Sequence, residues 1–401
     1  MVSMWLPISR LWLLACSAAL SSCAAQFAET PRSPAPPMAT EVQILALNDF
    51  HGALEPPKVG VAAKTRNGRD LEVPAGGAAY LAGAAKALRT RQANTVTVSA
   101  GDMIGATPLP SALFLDEPAI NAMDLVGVEF NAVGNHEFDK GSAELVRLQT
   151  GGCEKHTSRQ PCRLEPFDGA SFRFLAANVL TADGRTLFPG TGIKDFGPVQ
   201  VGFIGMTLKE TATLVSPAGV AGLTFADEVA TANAAVPLLK EAGADAIVLL
   251  IHQGARTDGL PNDRTCPGLS GDLLPILDRL DPAISVVISG HTHRAYVCNY
   301  PRPSGALLLT SAGRSGIMVT DIRLGVTPTG TVQVRSADNL IVQGEGFAAG
   351  SKQIALNTEF RIFGADAATA ALVKRYVDAS LAEARRVVGR LSAEEIGRAH
   401  V

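Results

Sequence analysis

The chain has few aromatic residues, no excess of either charge and neither of the two common glycine-rich phosphate-binding motifs. Aromatic residues make up 5% of its 401 residues, and 35 basic against 38 acidic residues give a net charge of −3. A near-neutral chain without a basic stripe lacks the electrostatic signature of proteins that bind nucleic acid polymers, so no such partner is expected. The absence of Gly-x-x-x-x-Gly-Lys-Ser/Thr and Gly-x-Gly-x-x-Gly gives no support to P-loop or dinucleotide-fold chemistry.

The N-terminus has the layout of an export signal. Arg10 precedes an apolar segment, and small residues follow it. Leu20, Ser21 and Ser22 before Cys23 resemble a bacterial lipobox, in which the cysteine becomes the lipidated first residue. We therefore predict a signal peptide at 1–25, a Pro/Ala-rich tether at 26–40 and an exported, periplasmic protein anchored to the membrane by lipid. The alternative is ordinary cleavage after the small residues that end at Ala25.

Four cysteines remain beyond the predicted signal: Cys153, Cys162, Cys266 and Cys298. An even number in an oxidising compartment predicts two disulfides, and three pairings are possible. The local pairing joins Cys153 to Cys162 and leaves Cys266 for Cys298. A zinc site is the alternative, but the chain has no Cys-x-x-Cys pair to support it.

Short apolar runs rich in Val and Ile alternate with helical patterns, which predicts an α/β fold. The predicted strands are 42–47, 95–100, 129–133, 172–177, 199–205, 246–251, 284–289, 306–311 and 317–324. The predicted helices are 76–92, 118–127, 226–243, 271–281 and a long amphipathic helix at 366–390.

Polar side chains of the types that bind metals follow five of these strands. They are Asp49 with His51, then Asp102, then Asn135 with His136 and Asp139, then His252, and last His291 with His293. Because the carboxyl ends of strands in an α/β sheet meet at one crevice, these side chains are predicted to converge.

Carboxylate, imidazole and amide groups together suit divalent ions of the zinc or manganese type. Seven candidate ligands are too many for one tetrahedral ion and suit two ions that share a carboxylate: Asp49, His51, Asp102, Asn135, His252, His291 and His293. Asp102, alone on its loop, is the best candidate for the shared carboxylate. Asp49 and His51 are expected to hold one ion together, because residues two apart in an extended segment point the same way.

The motif order Asp-x-His, Gly-Asp, Gly-Asn-His-Glu, His and Gly-His-Thr-His resembles the calcineurin-like metallophosphoesterases, and "NDFHG" and "GNHEFDKG" resemble their exported bacterial 5'-nucleotidase and 2',3'-cyclic phosphodiesterase branch. The resemblance implies two packed mixed β-sheets flanked by helices, a four-layer αββα sandwich, in residues 41–350. It also implies two divalent ions of the Zn, Mn or Co type. The final ligand, a histidine here, is Gln or Asn in some relatives.

Carried over position by position, the resemblance assigns three roles. The first ion would be held by Asp49, His51 and His293, and the second by Asn135, His252 and His291, with Asp102 between them. His136 would stabilise charge on the phosphoryl group or leaving oxygen, and Asp139 would orient it. Asp139 as a helix N-cap and Asn135 as a turn residue are the structural alternatives, and Glu137 is expected only to cap or pair, outside the site.

The activity implied is release of phosphate from nucleoside 5'-phosphates by a hydroxide that bridges the ions. The alternatives are a sibling hydrolase, acting on cyclic nucleotides, UDP-sugars, NAD or thiosulfate esters, or a non-catalytic nucleotide- or metal-binding surface protein. The resemblance also implies that residues 351–391 form a linker helix to a C-terminal substrate-binding domain that is missing here. Residues 392–401 are expected to be an artefactual tail.

Overall fold

Two six-stranded mixed sheets form the centre of the protein. The structure is a computed structural model that describes Met1 and residues 38–387. The rest of the predicted signal peptide with Cys23, most of the predicted tether and the predicted tail lie outside the described residues. Within the described residues, no helix combines the length and apolar character needed to cross a membrane.

The first sheet has the order β16-β15-β1-β4-β5-β6. Its strands are β1 (Thr40–Leu47), β4 (Thr95–Ser99), β5 (Phe130–Ala132), β6 (Arg173–Leu175), β15 (Met318–Val326) and β16 (Val332–Ile341). Strands β1, β4, β5 and β6 run parallel, whereas β15 and β16 are antiparallel additions at one side. The parallel strands therefore direct the chain that follows each of them to the same edge of the sheet.

The second sheet has the order β13-β14-β12-β11-β9-β8. Its strands are β8 (Thr191–Asp195), β9 (Gln200–Thr207), β11 (Ala246–His252), β12 (Ile284–Ser289), β13 (Ala295–Tyr300) and β14 (Leu307–Ala312). The inner four strands are parallel, and β8 and β13 are antiparallel edges. Three two-stranded sheets complete the β-structure: β2 (Gly60–Lys64) with β3 (Asp70–Pro74), β7 (Val179–Leu180) with β10 (Thr224–Phe225), and β17 (Phe347–Ala349) with β18 (Lys352–Ile354).

Eight α-helices lie among the described residues: α1 (Ala78–Arg89), α2 (Leu109–Ala112), α3 (Glu117–Val126), α4 (Ser142–Thr150), α5 (Thr211–Leu214), α6 (Glu228–Glu241), α7 (Leu274–Leu277) and α8 (Ala367–Ala384). Short 3₁₀ turns occupy His136–Phe138 and Pro217–Val220. Helix α6 begins at the N-cap Asp227, whose carboxylate accepts a hydrogen bond from the Ala230 amide at 2.9 Å.

Three apolar clusters define the layers. Side chains from both sheets, such as Ile44 of β1 and Val248 of β11, share one buried cluster, so the sheets pack face to face. The outer face of the first sheet packs against α1, α3 and α8, and the outer face of the second packs against α6 and α7. This is the predicted four-layer sandwich, and the fold prediction is confirmed.

The sequence missed some elements and placed others imperfectly. The nine predicted strands are present, but nine other strands of the described residues were not predicted: β2, β3, β7, β8, β10, β13, β16, β17 and β18. Helices α2, α4 and α5 were not predicted either. Most residues of β16 are not fully buried, which weakens the apolar signal of an edge strand. The helix predicted at 271–281 forms only at Leu274–Leu277.

Helix α8 runs only from Ala367 to Ala384, so the prediction of a linker helix at 351–391 is wrong for 351–366, which hold β18 and a loop, and for 385–387; residues 388–391 lie outside the described residues. Its last buried residue is Ser380, and beyond it no packing supports further turns. Leu372 and Tyr376 are buried against the helices of the first sheet, and the Tyr376 hydroxyl donates to Glu165 at 2.9 Å. The apolar face of α8 is thus largely covered within this unit.

Both predicted disulfides are present. Cys153 and Cys162 close the loop after α4, and Cys266 and Cys298 tie the loop after β11 to β13. His156, within the first loop, is exposed. The first bridge therefore constrains one loop, and the second fixes a long connection to the body of the fold.

Candidate metal centre

The seven predicted ligands lie on loops at the carboxyl ends of strands from both sheets. Asp49 and His51 follow β1, Asp102 follows β4 and Asn135 follows β5. His252 ends β11, and His291 and His293 follow β12. Because the sheets pack face to face, their polar ends meet, and the side chains that were predicted separately come together.

Two groups of side chains are close enough to hold ions. The outer group consists of Asp49, His51 and His293, and the inner group of Asp49, Asp102 and His252; within each group the ligand atoms lie within 4.8 Å of one another. Two further predicted ligands lie beside the inner group: the His291 ring is 5.3 Å from the His252 ring, and its Nδ1 is 3.1 Å from Asn135 Oδ1.

Two carboxylates, not one, lie between the groups. Asp102 Oδ2 is 2.9 Å from His252 Nε2 and 3.8 Å from His51 Nε2, which fits the predicted shared position. Asp49 belongs to both groups, and its Oδ1 is 3.3 Å from His293 Nε2. The role of Asp102 as the bridge stays a prediction, and the geometry gives Asp49 a comparable place.

The imidazole tautomers support a cation site. His252 Nδ1 is 2.7 Å from the Ala100 carbonyl, and His51 Nδ1 is 2.9 Å from the Gly105 carbonyl. A carbonyl can only accept, so each Nδ1 donates, and each Nε2 is directed at the centre, where it offers a lone pair once it carries no proton. Backbone partners of this kind fix the orientation of metal-binding histidines.

Both of these Nε2 atoms lie close to another side-chain atom that could bind the same cation. His252 Nε2 is fully buried and makes no well-directed hydrogen bond, although Asp102 Oδ2 lies only 2.9 Å away. The short distance and the lack of a well-directed hydrogen bond agree if both atoms are directed at one cation rather than at each other. His51 Nε2 likewise lies 3.0 Å from His293 Nε2. The carboxylate oxygens and imidazole nitrogens of the centre, including the buried His252 Nε2, are therefore ligands that suit divalent ions.

The pKa values of the ligand side chains reflect the negative charge of the carboxylates at the centre. Burial would lower the pKa of His252, but the Asp102 charge raises it to about 10. Burial favours the neutral form of Asp102, yet His252 and His51 hold the pKa of that carboxyl far below its usual range. The pKa of His51 is lowered, chiefly by burial. A proton on His252 thus offsets the Asp102 charge, and a bound cation would take over that role.

The ligand loops adopt unusual backbone conformations. Five of the candidate ligands have positive φ angles between 48° and 70°: Asp49, His51, Asp102, His291 and His293. This conformation costs a non-glycine residue about 1–2 kcal/mol, and such strain concentrates at functional sites. The expectation that Asp49 and His51 lie in an extended segment is therefore wrong, because β1 ends at Leu47 and a tight turn brings both side chains inward.

His136 and Asp139 form a pair at the edge of the centre. His136 Nδ1 is 2.9 Å from Asp139 Oδ2, and the His136 ring is 5.3 Å from the His51 ring. This contact raises the pKa of His136. Asp139 is not a helix N-cap, since Gly141 holds that position in α4. Both side chains are about one-third exposed, at 33% and 31%, so a substrate can reach them.

Sequence reasoning missed Glu137, which was expected only to cap or pair outside the site. Its carboxylate is buried and accepts the backbone N–H groups of Asp102 at 2.9 Å, Met103 at 2.9 Å and Gly134 at 2.6 Å. Burial and the Asp102 charge raise the pKa of Glu137 to about 8. Glu137 therefore joins the Asp102 loop to the Asn135 loop, and its place in "GNHE" was the available signal.

Asn48 was also missed as a supporting residue. Its Nδ2 donates to Asp49 Oδ2 at 2.6 Å and to the Gly313 carbonyl at 2.7 Å, and its Oδ1 accepts the Ala312 amide at 2.7 Å. The side chain thus orients the Asp49 carboxylate and anchors it to the end of β14. Its position directly before Asp49 was the only sequence signal.

Residues 42–295 match the family model of the calcineurin-like phosphoesterases. The chain belongs to this family. Members of the family are hydrolases and normally bind two divalent metal ions. The converging carboxylates and imidazoles described above are therefore the family's metal-binding candidates in this chain.

Particular relatives add detail. The chain is 49% identical over 163 residues to an uncharacterised protein of the pqq-V 5' region of Acinetobacter calcoaceticus, covering 39% of this chain and 80% of that one. It is 28% identical over 262 residues to the NAD 5'-nucleotidase of Haemophilus influenzae, covering 64% of this chain and 37% of the relative. The matches to two further relatives, from Bacillus subtilis and Listeria monocytogenes, span only 20% and 33% of their lengths.

Solved structures confirm the fold. That of Haemophilus influenzae NAD nucleotidase has a TM-score of 0.68 and 22% identity, covering 88% of this chain and 62% of that chain. At this identity the likeness establishes the architecture and leaves the substrate open.

Proposed function

We propose that the chain is an exported dinuclear-metal phosphohydrolase that releases phosphate from nucleoside 5'-phosphates. The observation that carries the proposal is the convergence of imidazole nitrogens and two carboxylates on one small volume, with His252 Nε2 buried and without a well-directed hydrogen bond. The nucleotide class is supported by the 28%-identical relatives, a NAD 5'-nucleotidase and a probable 5'-nucleotidase of Treponema pallidum.

The proposed mechanism divides the work between ions and side chains. Bound divalent ions would supply positive charge at the phosphoryl oxygens and lower the pKa of a water. The outer and inner groups, together with Asn135 and His291, would hold the ions and thereby position the phosphoryl group. His136 lies at the edge of this volume, where its imidazole can donate a hydrogen bond to the phosphoryl or leaving oxygen. Asp139 keeps the imidazole oriented and favours its protonated form.

A colorimetric assay tests this function. The full chain, supplied with Mn²⁺ or Co²⁺, is expected to release phosphate from AMP, and chelation should abolish the release. A sibling hydrolase would instead act on a cyclic nucleotide, a UDP-sugar or a thiosulfate ester and leave AMP intact. A protein that binds AMP and two metal ions but hydrolyses none of these esters would overturn the enzyme proposal.

Export is part of the proposal. Two disulfides in the described residues suit an oxidising compartment, and Cys23 follows a lipobox-like segment. In the proposed lipoprotein, Cys23 carries the acyl chains, several of which are needed for a firm anchor. Cys23→Ala is therefore expected to move the protein from the membrane fraction to the soluble fraction. A mature N-terminus at Gln26 without lipid would contradict the anchor.

A further inference from the structure

A cavity of about 890 Å³ lies beside the metal centre, on the side of the second sheet. His291 lines it, together with residues of the loops that follow β9, β11 and β12 and with α7. This volume is typical of small-molecule sites. A separate cavity of about 560 Å³ is lined by Asp139. The first cavity, which we call the lateral cavity, is therefore distinct from the space beside the His136–Asp139 pair.

The lateral cavity carries three arginines: Arg256, Arg279 and Arg294. Arg256 lies four residues after His252, and Arg294 directly follows His293. Within residues 38–387, neither of these two guanidinium groups donates a hydrogen bond or forms an ion pair with the protein. Both side chains are exposed, so they remain available to a ligand.

Acidic residues of the cavity wall do not cancel this charge. The Lys209 ammonium lies 4.0 Å from Glu210, so these two side chains form an ion pair, whereas Glu228 only accepts the Lys209 amide at 2.8 Å and keeps its charge. Asp272 is the other carboxylate on the wall. Two carboxylates, Glu228 and Asp272, against three guanidinium groups leave a net positive charge on the wall, which suits an anion.

The loops that carry the two unpaired arginines are fastened together. Thr292 Oγ1 donates to the Ala255 carbonyl at 2.7 Å. A Cβ at Gly254 would lie 2.2 Å from the Gly290 carbonyl oxygen, so this close approach requires glycine. Arg256 also pairs through its backbone with Ser270, in the loop that the Cys266–Cys298 bridge holds. The arginines therefore stand on a preorganised floor, which lowers the entropic cost of binding.

We propose that the lateral cavity is a subsite for a second phosphate group, so that this enzyme prefers nucleoside diphosphates to monophosphates. The inference rests on the proposed function, since it assumes that one phosphoryl group sits at the metal centre beside His291. A planar guanidinium group can donate two parallel hydrogen bonds to the oxygens of one phosphate. Arg256 and Arg294 come from the same two loops that supply His252 and His293. A phosphate next to the scissile one would therefore meet both.

The test compares ADP with AMP on the full, metal-loaded chain. We expect Arg256→Ala/Arg294→Ala to lower the ADP-to-AMP ratio of kcat/KM about 10-fold or more, as for the loss of charge-assisted hydrogen bonds. Arg66→Ala is the matched control, because Arg66 is an exposed arginine on the β2–β3 turn that does not line the cavity. This control should leave the ratio unchanged.

A second measurement does not depend on activity. Calorimetry of the metal-free chain with inorganic pyrophosphate should give binding that the double substitution weakens about 10-fold or more and that Arg66→Ala leaves intact. Circular dichroism melts establish that the double variant is folded, and single substitutions replace it if it is not.

The outcomes separate the two proposals. If the wild type hydrolyses neither ester, the proposed function fails, and the pyrophosphate titration still judges the subsite. If the wild type is active but the double variant keeps the ADP-to-AMP ratio and the pyrophosphate affinity, the subsite is overturned. An equal loss with AMP and ADP would overturn it as well, because the arginines would then serve the phosphate common to both.

Discussion

The two ligand groups differ in how far they are closed off from water. In the inner group the His252 side chain is 0% exposed and that of Asp102 is 2% exposed. In the outer group the His293 side chain is 36% exposed and that of His51 is 10% exposed. Buried ligands held by backbone partners are preorganised, whereas an exposed ligand exchanges with solvent. We therefore predict that an ion bound by the inner group would be retained and that an ion bound by the outer group would exchange more readily.

Their supports differ as well. The inner group rests on Glu137, which accepts three backbone N–H groups of its loops, and on the Ala100 carbonyl. The outer group rests on Asn48 and on the Gly105 carbonyl, and His293 extends into the open side of the centre. The two candidate ligand groups thus differ in rigidity: the inner group is firmly supported, and the outer group is accessible.

Asp102→Ala should have the largest effect, because it removes a carboxylate that contacts histidines of both groups. We expect kcat to fall about 10³-fold or more, which is about 4 kcal/mol of transition-state stabilisation. Metal analysis should find that both ions are depleted. His293→Ala is the comparison variant and should lose the outer ion alone. If Asp102→Ala keeps both ions, the shared role of Asp102 is wrong.

His136→Ala should separate catalysis from metal binding, because His136 belongs to neither group. Loss of an electrostatic stabiliser is expected to lower kcat about 10²–10³-fold while both ions remain bound. Asp139→Asn, which keeps the size of the orienting side chain, should give a smaller loss. Depletion of metal in His136→Ala would mean that the residue is a ligand.

Glu137→Ala should weaken the inner group specifically. Three backbone donors would lose their buried acceptor, and leaving such groups unpaired costs roughly 1–3 kcal/mol each. We expect the free energy of unfolding to fall by about 3 kcal/mol, measured by denaturant titration of the metal-free protein. Glu137→Gln retains one acceptor oxygen and should fall between the wild type and Glu137→Ala. Equal stability of all three proteins would show that Glu137 does not hold the loops.

Chelation should give the smallest effect, a difference in the order in which the outer and inner groups release their ions. At graded chelator concentrations the outer ion is expected to leave first and the inner ion later, as read by metal analysis of dialysed protein. Acid should favour release, because the raised pKa of His252, about 10 in the metal-free protein, makes protons competitors for its Nε2. Metal affinity should therefore rise with pH towards that value. Simultaneous loss of both ions at every pH would remove the distinction between the groups.

The sequence by itself determined the architecture and the residue types of the site. Runs such as 246–251 are continuously apolar because parallel strands are buried on both faces, and His252 marks the end of one. Polar residues that recur after such strands predict convergence, because the sheet has one carboxyl edge. The local spacing of Cys153 and Cys162 and the remaining pair similarly predicted both bridges.

Only the tertiary structure decided how those residues act together. The left-handed conformations of Asp49 and His51 replace the extended segment expected from sequence, since turn geometry depends on the Asp102 loop against which these residues pack. The support from Glu137 joins residues that are 34 and 35 positions apart in the chain, only after β4 and β5 have paired. The lateral cavity depends on the apposition of the His252 and His293 loops, and no local pattern encodes the distance between two loops.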